Sequence, residues 1–173
     1  MNGHYGFILF HYLMHFCSMN FRHFKISVCC FLLFILQACT TDQNQKSLNN
    51  LDWLIGTWQG QSRSGNVFYE EWIKSSPKEF INHNYHFEND LKIKGGSSKI
   101  ILQGEEIYYI NDTDSSKQLR WKAIDIQPAS VTFGNDSIKP YNRISFSLSS
   151  QNTWDAKLTG VKDTITYSLK RIR

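Results

Sequence analysis

The stretch Leu51-Asp52-Trp53-Leu54-Ile55-Gly56-Thr57-Trp58-Gln59-Gly60 is the strongest indicator of the fold of this chain. Its first half is short and apolar, and we expect a turn that runs through Gly56 into a strand carrying Trp58. Strand signals then follow as far as the C-terminus. We therefore predict that this stretch plugs one end of an antiparallel barrel and begins its first strand.

The clearest alternation of apolar and polar residues lies near the C-terminus. Three successive runs place apolar residues on one face and mostly polar residues on the other; their apolar members are Ile144, Phe146 and Leu148, then Trp154, Ala156 and Leu158, then Ile165, Tyr167 and Leu169. Alternation of this kind is typical of antiparallel strands that bury one face and leave the other in water.

Six earlier segments also carry β-branched and aromatic residues, but they have polar groups on both faces. These segments are 57–62, 66–74, 79–88, 98–103, 106–111 and 118–126. Polarity on both faces indicates a barrel interior that is partly wet.

Turn residues separate the strand segments at short and regular intervals. Gly104-Glu105, residues 111–116 and Val161-Lys162-Asp163 predict hairpin turns, and Gly95-Gly96 predicts a bend. We see no long amphipathic helix. The pattern predicts an all-β fold, an antiparallel up-and-down barrel of about nine or ten strands with a short N-terminal plug turn, able to enclose one small ligand.

The first 38 residues differ in composition from the rest of the chain. They contain no Asp or Glu, and they hold four of the six His and three of the four Cys. They end in an apolar run of about 11 residues, 26–36, which is too short to span a bilayer and fits the centre of a secretory signal with Arg22 and Lys25 as its basic flank. Translation from Met19 gives a compact signal of this type, so we expect the true start there.

The sequence Leu36-Gln37-Ala38-Cys39 resembles the lipobox of bacterial lipoproteins. The resemblance implies cleavage before Cys39 and lipid on its thiol, which would anchor the chain to a membrane of the cell envelope. Thr40 follows the Cys where an Asp would signal retention at the inner membrane, so the resemblance implies the outer membrane.

The predicted organisation is a signal peptide at 1–38, a lipidated Cys with a polar tether at 39–50, and a barrel domain at 51–173. The mature chain then has no free Cys, and its stability must come from packing. Two of the 19 basic residues lie in the signal, which leaves 17 against 15 acidic residues. This near balance, with no long basic run, argues against a nucleic-acid partner.

The sequence Gly56-Thr57-Trp58 matches the Gly-x-Trp signature of lipocalins, and residues 51–60 look like the opening of lipocalin-like domain families of unknown function found in bacterial lipoproteins. The Tyr69-Glu70-Glu71-Trp72 strand and the terminal segment 167–171 agree with those families. The resemblance implies that an Arg of the last strand packs over the signature Trp as a cation–π pair. Arg171 is our candidate for this structural role, and Arg173 is the alternative.

Catalytic and metal-binding patterns are weak in this sequence. His83 and His86 point to opposite faces if they lie on a strand, so a shared metal is not expected. Glu70 and Glu71 also diverge, which excludes a paired acid and base. A Glu70 carboxylate inside the barrel, paired with Arg120 or Lys122, competes with an exposed Glu or an ordinary ion pair. We predict no catalytic residue, no metal and no cofactor.

The most economical functional prediction is a membrane-anchored barrel that binds a small apolar or amphipathic molecule. The predicted lining residues are Trp72, Tyr85, Tyr109, Trp121 and Phe146. The alternative is a scaffold with a filled barrel whose outer surface meets an envelope partner, and an enzyme ranks third. Internal volume separates the first two hypotheses, because a cavity open at one end favours ligand binding.

Overall fold

The structure is a computed structural model that describes residue 44 and residues 47–112 and 118–173. The predicted signal peptide and the predicted lipidation site at Cys39 lie outside the described residues. A 3₁₀ helix (Asp52–Leu54) precedes ten strands: β1 (Gly56–Gln61), β2 (Val67–Ser76), β3 (Glu79–Glu88), β4 (Leu91–Gln103), β5 (Glu106–Asn111), β6 (Leu119–Gln127), β7 (Ser130–Gly134), β8 (Tyr141–Ser150), β9 (Thr153–Gly160) and β10 (Thr164–Arg171).

The ten strands form a closed up-and-down barrel in which each strand pairs antiparallel with its neighbours in the chain. β1 closes the barrel by pairing with β10, with Trp58 opposite Arg171 and Gln59 opposite Lys170. Closure leaves no free sheet edge, which removes the template for edge-to-edge association. The predicted all-β antiparallel barrel is confirmed.

The N-terminal segment covers the end of the barrel where β1 begins. Leu48, Leu51 and Leu54 are fully buried in the same apolar cluster as Trp58 and Trp154. The three leucines are spaced three residues apart, so a 3₁₀-like turn places them on one face. The Trp58 indole nitrogen donates a hydrogen bond of 2.7 Å to the Leu54 carbonyl oxygen and fixes this segment to β1.

The core is the inner face of the barrel, and the alternation predicted for the last three long strands is confirmed. Phe146 in β8, Trp154 in β9 and Leu169 in β10 are buried members of the core cluster. Phe146 pairs with Ala156 in β9, and Trp154 pairs with Leu169 in β10, so these residues belong to one inward face of the sheet.

The structure differs from the sequence predictions at three places. Gly95-Gly96 lies inside β4, where the pairing with β3 shifts register and Asn84 Oδ1 would lie 2.9 Å from a Cβ at Gly95. The short strand β7 was absent from the predicted segments. Leu48, which the sequence assigned to the tether, belongs to the core because the helical turn brings it onto the face of Leu51.

Among the described residues, no helix has the length and apolar character that crossing a bilayer requires.

Candidate functional site

A cavity of about 300 Å³ lies inside the barrel, reaching from the middle of the strands to Ser62 at the end of β1. Its lining combines aromatic and aliphatic walls with a few polar groups: Ser62, Phe68, Glu70, Trp72, Asn82, Asn84, Tyr109, Ile144, Phe146, Ala156, Leu158 and Tyr167. The volume is equivalent to about ten water molecules at the density of the liquid.

Packed aromatic rings fill the other half of the barrel and set the depth of this cavity. Phe146 lines the cavity and contacts Trp154 edge-on, with ring centroids 5.0 Å apart. Trp154 in turn contacts both Trp53 and Trp58 at 6.1 Å. This aromatic column joins the cavity to the N-terminal plug, so the cavity has a rigid base.

Glu70 is the one carboxylic acid among the residues that line the cavity. It lies deep among protein atoms, and its side chain remains half-buried because it faces the cavity. The Trp72 indole nitrogen donates a 2.9 Å hydrogen bond to Glu70 Oε2. Burial raises the pKa of the Glu70 carboxyl to about 7, against the opposing effect of hydrogen bonds from Trp72 and Asn82.

A polar network continues from Glu70 around the cavity wall. Asn82 in β3 donates a long hydrogen bond of 3.4 Å to Ser98 in β4, and Ser98 also bonds to the Tyr109 hydroxyl. Burial raises the pKa of Tyr109 to about 12, so this hydroxyl keeps its proton at neutral pH. The buried Asn82 Oδ1 atom has no hydrogen-bond partner among the described residues.

The structure brings three of the five predicted lining residues together. Trp72, Tyr109 and Phe146 line the cavity, and Phe146 contacts the other two rings at 6.1 and 5.7 Å. Trp121 is buried in the core against Tyr109, with ring centroids 5.8 Å apart, but it does not line the cavity.

Tyr85 lies on the outer face of the barrel, which corrects its prediction as a lining residue. It pairs with Tyr69, stacks on that ring at 5.1 Å, and is covered by Lys92 at 3.7 Å from its ring centroid. Strand residues alternate between faces, and Asn84 is the neighbour that faces inward. The Tyr85 ring instead packs in an aromatic cluster on the outer face, with Tyr69 and Phe87.

Arg171 packs against the ring of Trp58 at the end of the barrel that the N-terminal segment covers. Its guanidinium carbon lies 4.1 Å from the Trp58 ring centroid, and its two terminal nitrogens donate to the carbonyl oxygens of Ile55 and Trp53 at 2.6 and 2.9 Å. Gly56 has a φ of +135°, and a Cβ there would lie 2.7 Å from the Arg173 carbonyl oxygen. Glycine at this position therefore allows the start of β1 to lie close to the backbone of Arg173.

The histidines and basic residues considered for chemistry lie outside the cavity. His86 pairs with Glu88 at 2.9 Å, and His83 lies on the outer face. Among the described residues there is no group of three or more His, Cys, Asp or Glu arranged to hold a metal.

Arg120 and Lys122 face outward, so neither is the partner of Glu70. They line a larger concavity of about 640 Å³ on the outer wall. Lys122 and Tyr108 donate hydrogen bonds to Glu106 and hold its pKa below the usual value, while Arg120 donates to Gln103. The Lys122 charge is paired with Glu106 on the surface. We favour the inner cavity, where the buried Glu70 carboxyl has no cationic partner among the described lining residues.

The sequence interpretation missed several lining residues, including Phe68, Asn82 and Tyr167. Two of them carried a usable signal. Phe68 shares the parity of Trp72 along β2, and Tyr167 shares the parity of Leu169 along β10. Asn82 carried a weaker signal, because a polar residue on a two-sided strand does not reveal which face it occupies.

No protein-family model and no curated protein sequence matches the chain. Two designed proteins are similar in structure. A redesigned β-barrel has 14% identity over 70% of this chain and 94% of its own, with a TM-score of 0.38, and a de novo fluorescence-activating β-barrel has 14% identity over 69% and 94%, with a TM-score of 0.33. The strand pairings of this chain establish its barrel without them.

Proposed function

We propose that this protein binds a small, largely apolar molecule with one polar group inside its barrel. The observation that carries the proposal is the cavity of about 300 Å³, whose walls are mainly aromatic and aliphatic and whose polar groups are few. Small-molecule sites commonly have this composition, with a few polar groups that orient the ligand, and this volume is at the small end of their range.

The rigid base formed by Phe146 and Trp154 supports this function. These rings are buried and packed edge-on, so they form a firm base for the cavity. A cavity formed in advance spares the ligand the free energy of ordering the site.

We further propose that the barrel acts at the bacterial envelope as a lipocalin-like lipoprotein of the outer membrane. The support for this lies in the sequence, in the lipobox-like Leu36-Gln37-Ala38-Cys39 and the Gly56-Thr57-Trp58 signature. Two acyl chains suffice for stable membrane attachment. Replacing Cys39 with Ser in the full chain should therefore move the protein from the membrane fraction to the soluble fraction; membrane retention of the variant would contradict the anchor.

The binding proposal can be tested by filling the cavity. Ala156 lines the cavity, and its neighbour Lys157 is exposed on the outer face of the same strand. We would purify the full chain and its Ala156→Leu and Lys157→Leu variants, extract each with organic solvent, and analyse the extracts by mass spectrometry.

We expect a reproducible small molecule from the wild type and from Lys157→Leu, and its loss from Ala156→Leu at an unchanged melting temperature. An empty wild-type barrel that also fails to bind apolar fluorescent probes would overturn the proposal. The scaffold hypothesis, in which the outer surface meets an envelope partner, would then take its place.

A further inference from the structure

The cavity holds a carboxyl group without a cation. Glu70 receives hydrogen bonds from Trp72 and Asn82, and neither donor carries a charge. Among the described residues that line the cavity there is no Lys, Arg or His. Burying an ionised carboxylate is costly unless a positive charge accompanies it. Among the described lining residues, none carries a positive charge that could compensate Glu70 in its ionised form.

A second acceptor in the cavity wall is also unsatisfied. Asn82 is 5% exposed, its amide nitrogen is directed to Ser98, and its Oδ1 atom has no partner among the described residues. Buried acceptors of this kind normally find a donor. Glu70 and Asn82 lie on adjacent strands and their side chains share a hydrogen bond, so the two groups are neighbours in the wall.

Aromatic rings surround these acceptors. Trp72 and Tyr109 line the same part of the cavity, and Phe68 packs edge-on against Tyr167 at 5.7 Å toward the open end. The faces of aromatic rings attract cations, and the attraction is stronger where the cation is desolvated. Acceptors and rings together therefore favour a positively charged head group and an apolar body.

We propose that the ligand is a protonated amine with an apolar body, its ammonium group held by the Glu70 carboxylate and Asn82 Oδ1. This inference rests on the proposed ligand-binding function and names the chemical class of its ligand. An ammonium group carries three N–H donors, and it can therefore donate to both acceptors. Its hydrocarbon part lies along Phe68, Leu158 and Tyr167.

The groups around Glu70 do not compete with a cationic ligand for its carboxylate. The groups that face it are Trp72 from β2, Asn82 and Asn84 from β3, Tyr109 from β5 and Tyr167 from β10, none of them cationic. The inward-facing Arg171 is engaged with the carbonyl oxygens of Trp53 and Ile55. An ammonium should thus find Glu70 ionised above its raised pKa, and binding should weaken as the solution is acidified.

The test compares three probes with one hydrocarbon skeleton. We would measure the binding of 3-phenylpropylamine, 3-phenylpropan-1-ol and 3-phenylpropanoic acid to the full chain by calorimetry at about pH 8, above the raised pKa of Glu70. We expect the amine to bind about tenfold or more tightly than the alcohol, because charge-assisted hydrogen bonds are roughly twice as strong as neutral ones. The acid should bind most weakly.

Two matched variants locate the preference. Glu70→Gln should reduce amine binding to the level of the alcohol. Glu71→Gln removes the neighbouring carboxylate, which faces outward toward Lys92, and should change nothing. Thermal unfolding of each variant verifies that the barrel is folded.

The outcomes separate the two proposals. If none of the three probes binds, the proposed ligand-binding function fails and this inference fails with it. If the alcohol and the acid bind as well as the amine, or if Glu70→Gln keeps the amine preference, the cavity binds ligands but this inference is wrong.

Discussion

The guanidinium of Arg171 lies 4.1 Å from the centroid of the Trp58 indole, and the two residues are register partners across the β1–β10 seam. The same guanidinium donates hydrogen bonds to the carbonyl oxygens of Trp53, within the 3₁₀ helix, and of Ile55, directly after it. One side chain therefore ties together the last strand, the first strand and the plug. The seam where the barrel closes is also the place where its N-terminal segment is attached.

Arg171→Met should destabilise the barrel by about 2 kcal/mol, because it removes a cation–π contact and leaves two carbonyl oxygens without their donor. Urea denaturation followed by tryptophan fluorescence measures this change. Arg173→Met, which removes the same charge two residues later, is the control and should cost much less. Equal effects of the two variants would show that Arg171 contributes only charge.

Gly56→Ala should cost about 3 kcal/mol of unfolding free energy, since its φ of +135° is unfavourable for a residue with a Cβ and the added carbon meets the Arg173 carbonyl. Gly104→Ala is the matched control. Its φ of +62° is also positive, but its Cβ would enter open space, so it should cost only about 1 kcal/mol. Similar losses at the two glycines would contradict the role assigned to close packing at Gly56.

The stability of the barrel should fall as the pH rises from about 4.5 to about 7. The pKa of the Glu70 carboxyl is about 7 in the folded protein and about 4.5 in the unfolded chain. Between these two values the folded state binds more protons than the unfolded state, so the unfolding free energy declines as the pH rises. The decline due to this group is about 3 kcal/mol at most. Glu70→Gln removes the group that titrates.

Denaturation of the wild type and Glu70→Gln across this range isolates the contribution of Glu70, because the other titrating groups are common to both proteins. The variant should gain stability relative to the wild type as the pH rises, and the difference should level off above about pH 7. A difference that does not depend on pH would mean that the Glu70 carboxyl is well solvated.

Tyr109→Ala and Tyr85→Ala should separate the inner from the outer aromatic cluster. Tyr109 lines the cavity and contacts Trp121, Phe133 and Phe146, so its truncation should cost about 3 kcal/mol and enlarge the cavity. Tyr85 touches Tyr69 and Phe87 outside the barrel, so its truncation should leave ligand binding unchanged. Isothermal calorimetry with the amine probe measures ligand binding by the two variants. A loss of binding in Tyr85→Ala would contradict the placement of Tyr85 on the outer face.

The sequence predicted the late strands more accurately than the early ones. In the runs around Phe146, Trp154 and Leu169, apolar and polar residues alternate cleanly, so face and strand could be assigned together. β3 has polar residues on both faces, and Tyr85 was therefore placed on the wrong one. β7 was missed because it is only five residues long.

For Glu70, the sequence suggested the direction of the side chain but not its neighbours. Its parity with Phe68 and Trp72 suggested an inward carboxylate, but the candidate partners Arg120 and Lys122 proved to face outward. Its neighbours Asn82 and Tyr109 come from β3 and β5, at separations along the chain that carry no local signal.

The antiparallel β-barrel that begins at Gly56-Thr57-Trp58 could be predicted from the sequence, because strand period and turn residues are local properties of neighbouring residues. The identity of the rings that fill the barrel and the space that they leave became clear only in the folded protein. The same holds for the position of Glu70, which faces that space with no cation among the described lining residues. These features depend on side chains from strands far apart in the chain meeting around one axis. Volume and burial arise from that convergence, and no single strand encodes them.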